Sequence, residues 1–199
     1  TPERGRCDRR IWLELLAQGK APLPEHHFVG FFPFAATSGS GNLGHIYGIN
    51  CSDEFDITKG YQEGRKVAEI IFNFYRQHVP GFAKAELVNT ASLLSVRETR
   101  RIKGEYRLNF DDYKARARFE DEVGRFAYPV DIHSSSTDPE EQKRVGEVIR
   151  GTAYKQGENY GIPYRSLIPL GIDNLLVAGR SICCDRATTG SARCAPIAK

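Results

Sequence analysis

Leu175 to Ala178 is an uninterrupted apolar run held between a turn-like Gly171-Ile172-Asp173-Asn174 and Gly179. Such a run suits a strand buried on both faces of a parallel sheet, which places the chain in the α/β class. Gly179 would then leave the carboxyl end of that strand, where open α/β sheets bind ligands, and its missing Cβ lets backbone approach a ligand. Thr188, Thr189 and Ser191 around Gly190 can cap a helix whose first N–H groups face the same crevice and favour an anion. The same pattern also occurs in α/β proteins that bind nothing at this point.

The rest of the chain alternates helix and strand signals. Arg9 to Gln18 reads as an amphipathic helix with Ile11, Trp12, Leu15 and Leu16 on one face. Phe28 to Phe34 is apolar but broken by Pro33, hence an edge strand or lining segment. Gly39 to Gly44, GSGNLG, matches GxGxxG formally, yet it lacks the preceding strand and following helix that the dinucleotide fingerprint needs, so a hairpin turn is expected. The longest helix is expected over Lys59 to His78, capped by Asp56 or Thr58, with Val67, Ile70, Ile71, Phe74 and Tyr75 as a core stripe. Glu86 to Val96 has β character. A helix from Asp112 to about Glu120, capped by Asn109 or Asp111, precedes a strand over Ala127 to Ile132. Asp138-Pro139-Glu140-Glu141 starts a helix running to Ile149.

Composition excludes several classes. A formal net charge of +3 gives no reason to expect a nucleic-acid partner, and no apolar stretch is long enough for a membrane span. A soluble protein is expected. The five cysteines, Cys7, Cys51, Cys183, Cys184 and Cys194, form no CxxC pair, which favours reduced, buried thiols and a cytoplasmic setting. The absence of methionine leads us to expect a piece of a longer protein.

Three groups of residues carry chemistry. Arg97, Arg100, Arg101, Lys103 and Arg107 stand against Glu98 and Glu105: a solvated charged face, an anion-binding cluster and a nucleic-acid contact are the competing readings. His133 ends a strand-like run beside Ser134 to Thr137 and is either a proton-transfer group or a packed or capping residue. The other histidines, His26, His27, His45 and His78, show no matching partners in sequence. Tyr164 and Arg165 offer a donor and a fixed cation for a substrate carboxylate or hydroxyl, or else a buried Tyr with a snorkelling Arg. No Ser-His-Asp order or HExxH pattern supports a hydrolase or metalloenzyme, and no metal is expected.

The segment GIDNLLVAGRSICCDRATTGSARCAP, Gly171 to Pro196, resembles the closing motif of a bacterial family of FAD-dependent oxidoreductases. His78 to Tyr106, Gly124 to Ser134 (GRFAYPVDIHS) and Tyr160 to Arg180 resemble further family stretches in the same order. The resemblance implies an α/β flavoprotein, α+β within this stretch. Residues 1–170 would be part of a substrate domain with mixed sheet and helices. Residues 171–199 would be the last strand and loop of a Rossmann-like FAD domain, whose fingerprint lies in a preceding N-terminal segment. It implies FAD held by Gly179, Arg180, Ser181, Ile182, Gly190, Ser191 and Arg193; a substrate or anion at Arg97, Arg100 and Arg101; and chemistry at His133, Tyr164 and Arg165. The expected reaction moves a hydride from a small polar, hydroxyl-bearing or sugar-like substrate to the flavin, with neither nucleic acid nor membrane as partner. The alternative is a non-catalytic anion-binding or interaction module built on Arg97 to Arg107. Two positions depart from the family: Cys194-Ala195 stands where Val-Met is usual, and Lys199 where a small-residue helix would continue.

Overall fold

A computed structural model describes residues 4–28 and 30–193. Cys194 to Lys199, including both departures from the family motif, lie outside the described residues. The chain divides into two compact units, Thr1–Leu94 and Ser95–Lys199, each with its own aromatic-rich core.

In the first unit, helix α1 (Arg4–Ala17) begins earlier than its apolar stripe suggests, and it delivers Trp12 into the core. Trp12 stacks on Phe28 with centroids 4.3 Å apart and meets the edge of Phe74 at 4.9 Å, while its Nε1 donates to the Glu25 carbonyl. Stacked and edge-on rings at these separations add roughly 0.5–1.5 kcal/mol each beyond the area they bury. Asp8, almost wholly buried, accepts from the Tyr75 hydroxyl at 2.6 Å and from the Phe31 amide at 2.8 Å. That carboxylate ties α1 both to strand β1 (Phe31–Pro33) and to helix α2 (Glu54–His78).

β1 pairs antiparallel with β2 (Gly39–Gly41). The glycine-rich stretch is therefore a hairpin arm rather than its turn, and no helix opens at Gly44. α2 starts earlier than expected because Asp53, rather than Asp56 or Thr58, caps it by accepting from the Phe55 and Asp56 amides. Glu86 to Leu94 is coil, with Leu87, Val88 and Leu93 exposed; its imperfect alternation offers no continuous apolar face to a sheet.

The second unit is organised by residues 102–108, which run beside two later segments. The amides of Glu105 and Tyr106 donate to the carbonyls of Ile168 and Arg165; those of Ile102 and Leu108 donate to Ser181 and Cys183. This threading places the Arg97–Arg101 stretch beside the closing segment. Helix α3 (Phe110–Ala115) has Asn109 as cap with a full capping box, and it stops short of Glu120 because Arg116 turns left-handed at φ 55°. The predicted strand over Ala127 to Ile132 is displaced: the paired strand is β3 (Glu122–Phe126), antiparallel to β4 (Tyr160–Pro163), while Pro129, lacking an amide hydrogen, sits in chain without a ladder partner among the described residues. Helix α4 (Pro139–Ile149) begins at Pro139 with Asp138 as cap, as the sequence predicts.

The expected buried strand, Leu175 to Ala178, is irregular chain with no ladder partner among the described residues; Leu175 and Leu176 are exposed. Its link to the unit is the Val177 amide, which donates to the Leu167 carbonyl. Gly179 then opens a short 3-10 turn at φ 70°, a left-handed conformation that favours glycine. Helix α5 (Arg186–Ala192) is capped by Asp185, not by the hydroxyls near Gly190, because the Asp185 carboxylate reaches the Thr188 amide at 2.8 Å. The architecture is thus α+β, with two small antiparallel sheets among the described residues.

Candidate functional site

Three segments of the second unit meet at one cluster of charges: Arg97 to Arg101, Asp131 to His133, and α5 with Arg193. Gly190 makes their approach possible. A Cβ there would lie 2.7 Å from the Ile132 side chain and 3.1 Å from Asp131 backbone atoms, so α5 packs directly on the 131–132 backbone. Asp131 and His133, two positions apart on that segment, meet through their side chains.

Asp131 is the hub. Its Oδ1 lies 3.1 Å from His133 Nε2; its Oδ2 accepts from Arg97 at 3.2 Å and from Arg193 at 2.8 Å. The His133 hydrogen bond outweighs the cost of burial and, with Arg97 and Arg193, lowers the Asp131 carboxyl to about 2. Glu98 is a second hub: one oxygen accepts from Arg101 at 2.7 Å, the other from Arg186 at 3.2 Å. Backbone and hydroxyl acceptors fix the same guanidiniums, since Arg186 also donates to the His133 carbonyl, Arg193 to the Asp131 carbonyl and Arg101 to the Thr189 hydroxyl. The result is a preorganised lattice with His133 in its middle.

Of the residues singled out in the sequence, the structure brings together Arg97, Arg101, His133, Gly190 and Arg193. Arg100 is exposed. Arg180 is exposed too and donates to the Val96 carbonyl, which ties the closing segment to the arginine stretch. Ser181 accepts the Ile102 amide through its carbonyl, and Ile182 is fully buried in the core. Ser191 is occupied internally, donating to the Tyr128 carbonyl at 2.6 Å and lying 2.9 Å from the Tyr160 hydroxyl. Arg165 grips Asp121 through Nε and Nη2 and lies over the Tyr106 ring, while Tyr164 beside it is largely exposed. Cys183 and Cys184 are buried; burial pushes the Cys184 thiol up to about 11, so it stays neutral as a small core residue.

Asp131, Glu98, Arg186 and Asp121 were not singled out. The D-x-H spacing in an extended run could have flagged Asp131, whereas Glu98 and Arg186 meet only through the fold. The first unit holds another pairing that spacing could not disclose: His45 Nδ1 lies 2.6 Å from the buried Glu25 carboxylate, which also accepts the His27 amide. Burial raises the Glu25 carboxyl, but those partners more than offset it and leave it below its usual range. The same carboxylate, after burial, helps push the Tyr47 phenol up to about 12.

Among the described residues no group of histidine, cysteine and carboxylate side chains could hold a metal ion, and no helix is long and apolar enough to cross a membrane. No curated protein and no solved structure matches the chain. The sequence model of the FAD dependent oxidoreductase family, in contrast, matches residues 7–198. The chain belongs to that family, an oxidoreductase family whose cofactor is FAD.

Proposed function

We propose that this chain handles the substrate of an FAD-dependent oxidoreductase that takes a hydride from a hydroxyl-bearing carbon of a small polar molecule. The supporting observation is the Asp131–His133 pair, set among fixed arginines. Oxidising an alcohol carbon requires removal of both its hydride and its hydroxyl proton. FAD, when bound, supplies the acceptor for the hydride. His133 accepts the proton, and Asp131 orients the imidazole and stabilises the imidazolium. Arg97 and Arg101 steady the substrate, whereas Arg165 is engaged by Asp121 instead.

The donor set suits the cofactor. Gly179, buried and left-handed, brings backbone close to a ligand, and Arg180 and Arg193 offer cations to an anionic group. Ser181, Ile182, Gly190 and Ser191 support that edge from behind. In this reading residues 171–199 are the end of the FAD domain, residues 1–170 belong to the substrate domain, and a preceding segment carries the dinucleotide fingerprint. The exposed Leu170, Ile172, Leu175 and Leu176 favour this, because an exposed apolar run without ladder partners among the described residues is suited to joining a sheet.

Anaerobic stopped-flow reduction of the flavin by a panel of hydroxy acids, polyols and sugars tests the proposal. His133→Ala should retain flavin and slow reduction by about 10²–10⁴-fold, the range for positioned acid–base catalysis. An unchanged reduction rate would return His133 to a packing role.

A further inference from the structure

The charges of the site do not balance. Four guanidiniums, Arg97, Arg101, Arg186 and Arg193, stay protonated at any working pH, and two carboxylates, Asp131 and Glu98, each accept from two of them. The third nearby carboxylate, Asp185, is occupied by backbone amides, those of Thr188 and Phe110. Even counting Asp185 in full, the lattice keeps at least one positive charge, before any contribution from His133. Three of the four guanidiniums are shielded, the side chains of Arg97, Arg101 and Arg193 being 30%, 25% and 15% exposed, while Arg186 at the edge is 47% exposed. Water screens a half-buried charge poorly, so a surplus there attracts an anion.

Donors are available to receive it. Among the described residues the hydrogen bonds of Arg97 and Arg101 run through Nη1 alone, and a guanidinium carries five N–H groups in a fixed fork that matches a carboxylate. Arg97 is anchored on Asp131, the residue that orients His133, so an anion gripped there lies beside the proposed base.

We propose that the substrate of this site carries a carboxylate, held by Arg97 and Arg101, and is therefore a small hydroxy acid rather than a neutral sugar or polyol. This rests on reading the chain as a flavoenzyme. The two-to-one sharing also makes the arginines removable one at a time: without Arg97, Asp131 keeps Arg193 and His133; without Arg101, Glu98 keeps Arg186.

The test is isothermal titration of the flavin-loaded protein with oxamate, which has a carboxylate but no alcohol to oxidise, and with oxamide, its neutral counterpart of the same shape. Oxamate should bind, more weakly as salt is raised, and oxamide should bind far less. Arg97→Gln and Arg101→Gln should each retain flavin and weaken oxamate by about 10-fold or more. Arg118→Gln, whose partners are Asn159 and Glu122, should bind oxamate like the wild type. Equal binding of the two probes, or wild-type oxamate affinity in both variants, overturns the proposal. Loss of flavin from Arg97→Gln and Arg101→Gln with their circular dichroism intact would assign the surplus charge to the cofactor's own phosphates and equally overturn it. Flavin content and reduction of the wild type report on the flavoenzyme reading, and oxamate affinity on the anion site, so the two fail separately.

Discussion

Asp131→Asn keeps the size of the hub and removes its charge. The wild-type carboxyl sits at about 2 instead of its ordinary 3.8. At ~1.36 kcal/mol for each pH unit between those values, proton linkage sets a ceiling of ~2.5 kcal/mol on the stabilisation at neutral pH. The side chain is 34% exposed, and screening brings that to ~1 kcal/mol. Arg193, only 15% exposed, would face a neutral amide in the variant, and its share is already contained in that figure because it is one of the causes of the shift. The variant should therefore be destabilised by ~1 kcal/mol at pH 7. The sign in acid follows from the direction of the shift. A depressed carboxyl contributes its stability above the unfolded value and loses it as pH falls through the folded one, so the gap between wild type and variant should close between about pH 4 and pH 2. Urea denaturation followed by far-UV circular dichroism at stepped pH measures this, with the emission of Trp12 reporting separately on the first unit. A wild-type midpoint for the variant at pH 7 would refute the reasoning, and a gap undiminished at pH 2 would assign the loss to packing instead of charge.

Two glycines give further predictions. Gly190→Ala should push α5 off the 131–132 backbone, because its Cβ meets the Asp131 backbone at 3.1 Å and the chain cannot yield as a side chain does; we expect a loss of ~1–3 kcal/mol in urea denaturation and weaker oxamate binding. Gly179→Val places a β-branched residue at φ 70°, at a cost of ~1–2 kcal/mol or more. It should abolish flavin content, read as the ratio of flavin absorbance to protein, while circular dichroism stays near wild type.

What could be read from the sequence follows from how local its cause is. Helix α4 was legible residue by residue because Asp138, Pro139 and the two glutamates act within one turn. α2 was legible as a stripe but not at its start, since three nearby residues with oxygen side chains can cap and only the chain path selects Asp53. The site was legible in part. Arg97, Arg101, His133 and Arg193 stand out by type, and Glu98 and Asp131 lie only three and two positions from Arg101 and His133, but the carboxylate contacts that join these pairs to Arg97, Arg186 and Arg193 span 34 to 88 positions and exist only in the fold. Glu25 and His45, 20 positions apart, were invisible for the same reason.

Leu175 to Ala178 marks a different limit. Its pattern is that of side chains suited to an apolar environment, and pattern alone names no particular neighbour. In the structure Leu175 is 44% and Leu176 53% exposed, with Leu170 and Ile172 more so. Burying such side chains is worth about 1.5–3 kcal/mol each when complete, so leaving several of them together in water forgoes several kcal/mol. The backbone beside them lacks ladder partners among the described residues, and a β-strand that joins a sheet would recover both terms at once. The same segment ends in the left-handed Gly179 and the exposed Arg180, which is tied to Val96 at the edge of the arginine lattice. Seating this run in a sheet would therefore set the proposed cofactor edge and the substrate lattice in one register, which gives an apolar run without a local partner a reason to stand next to the chemistry.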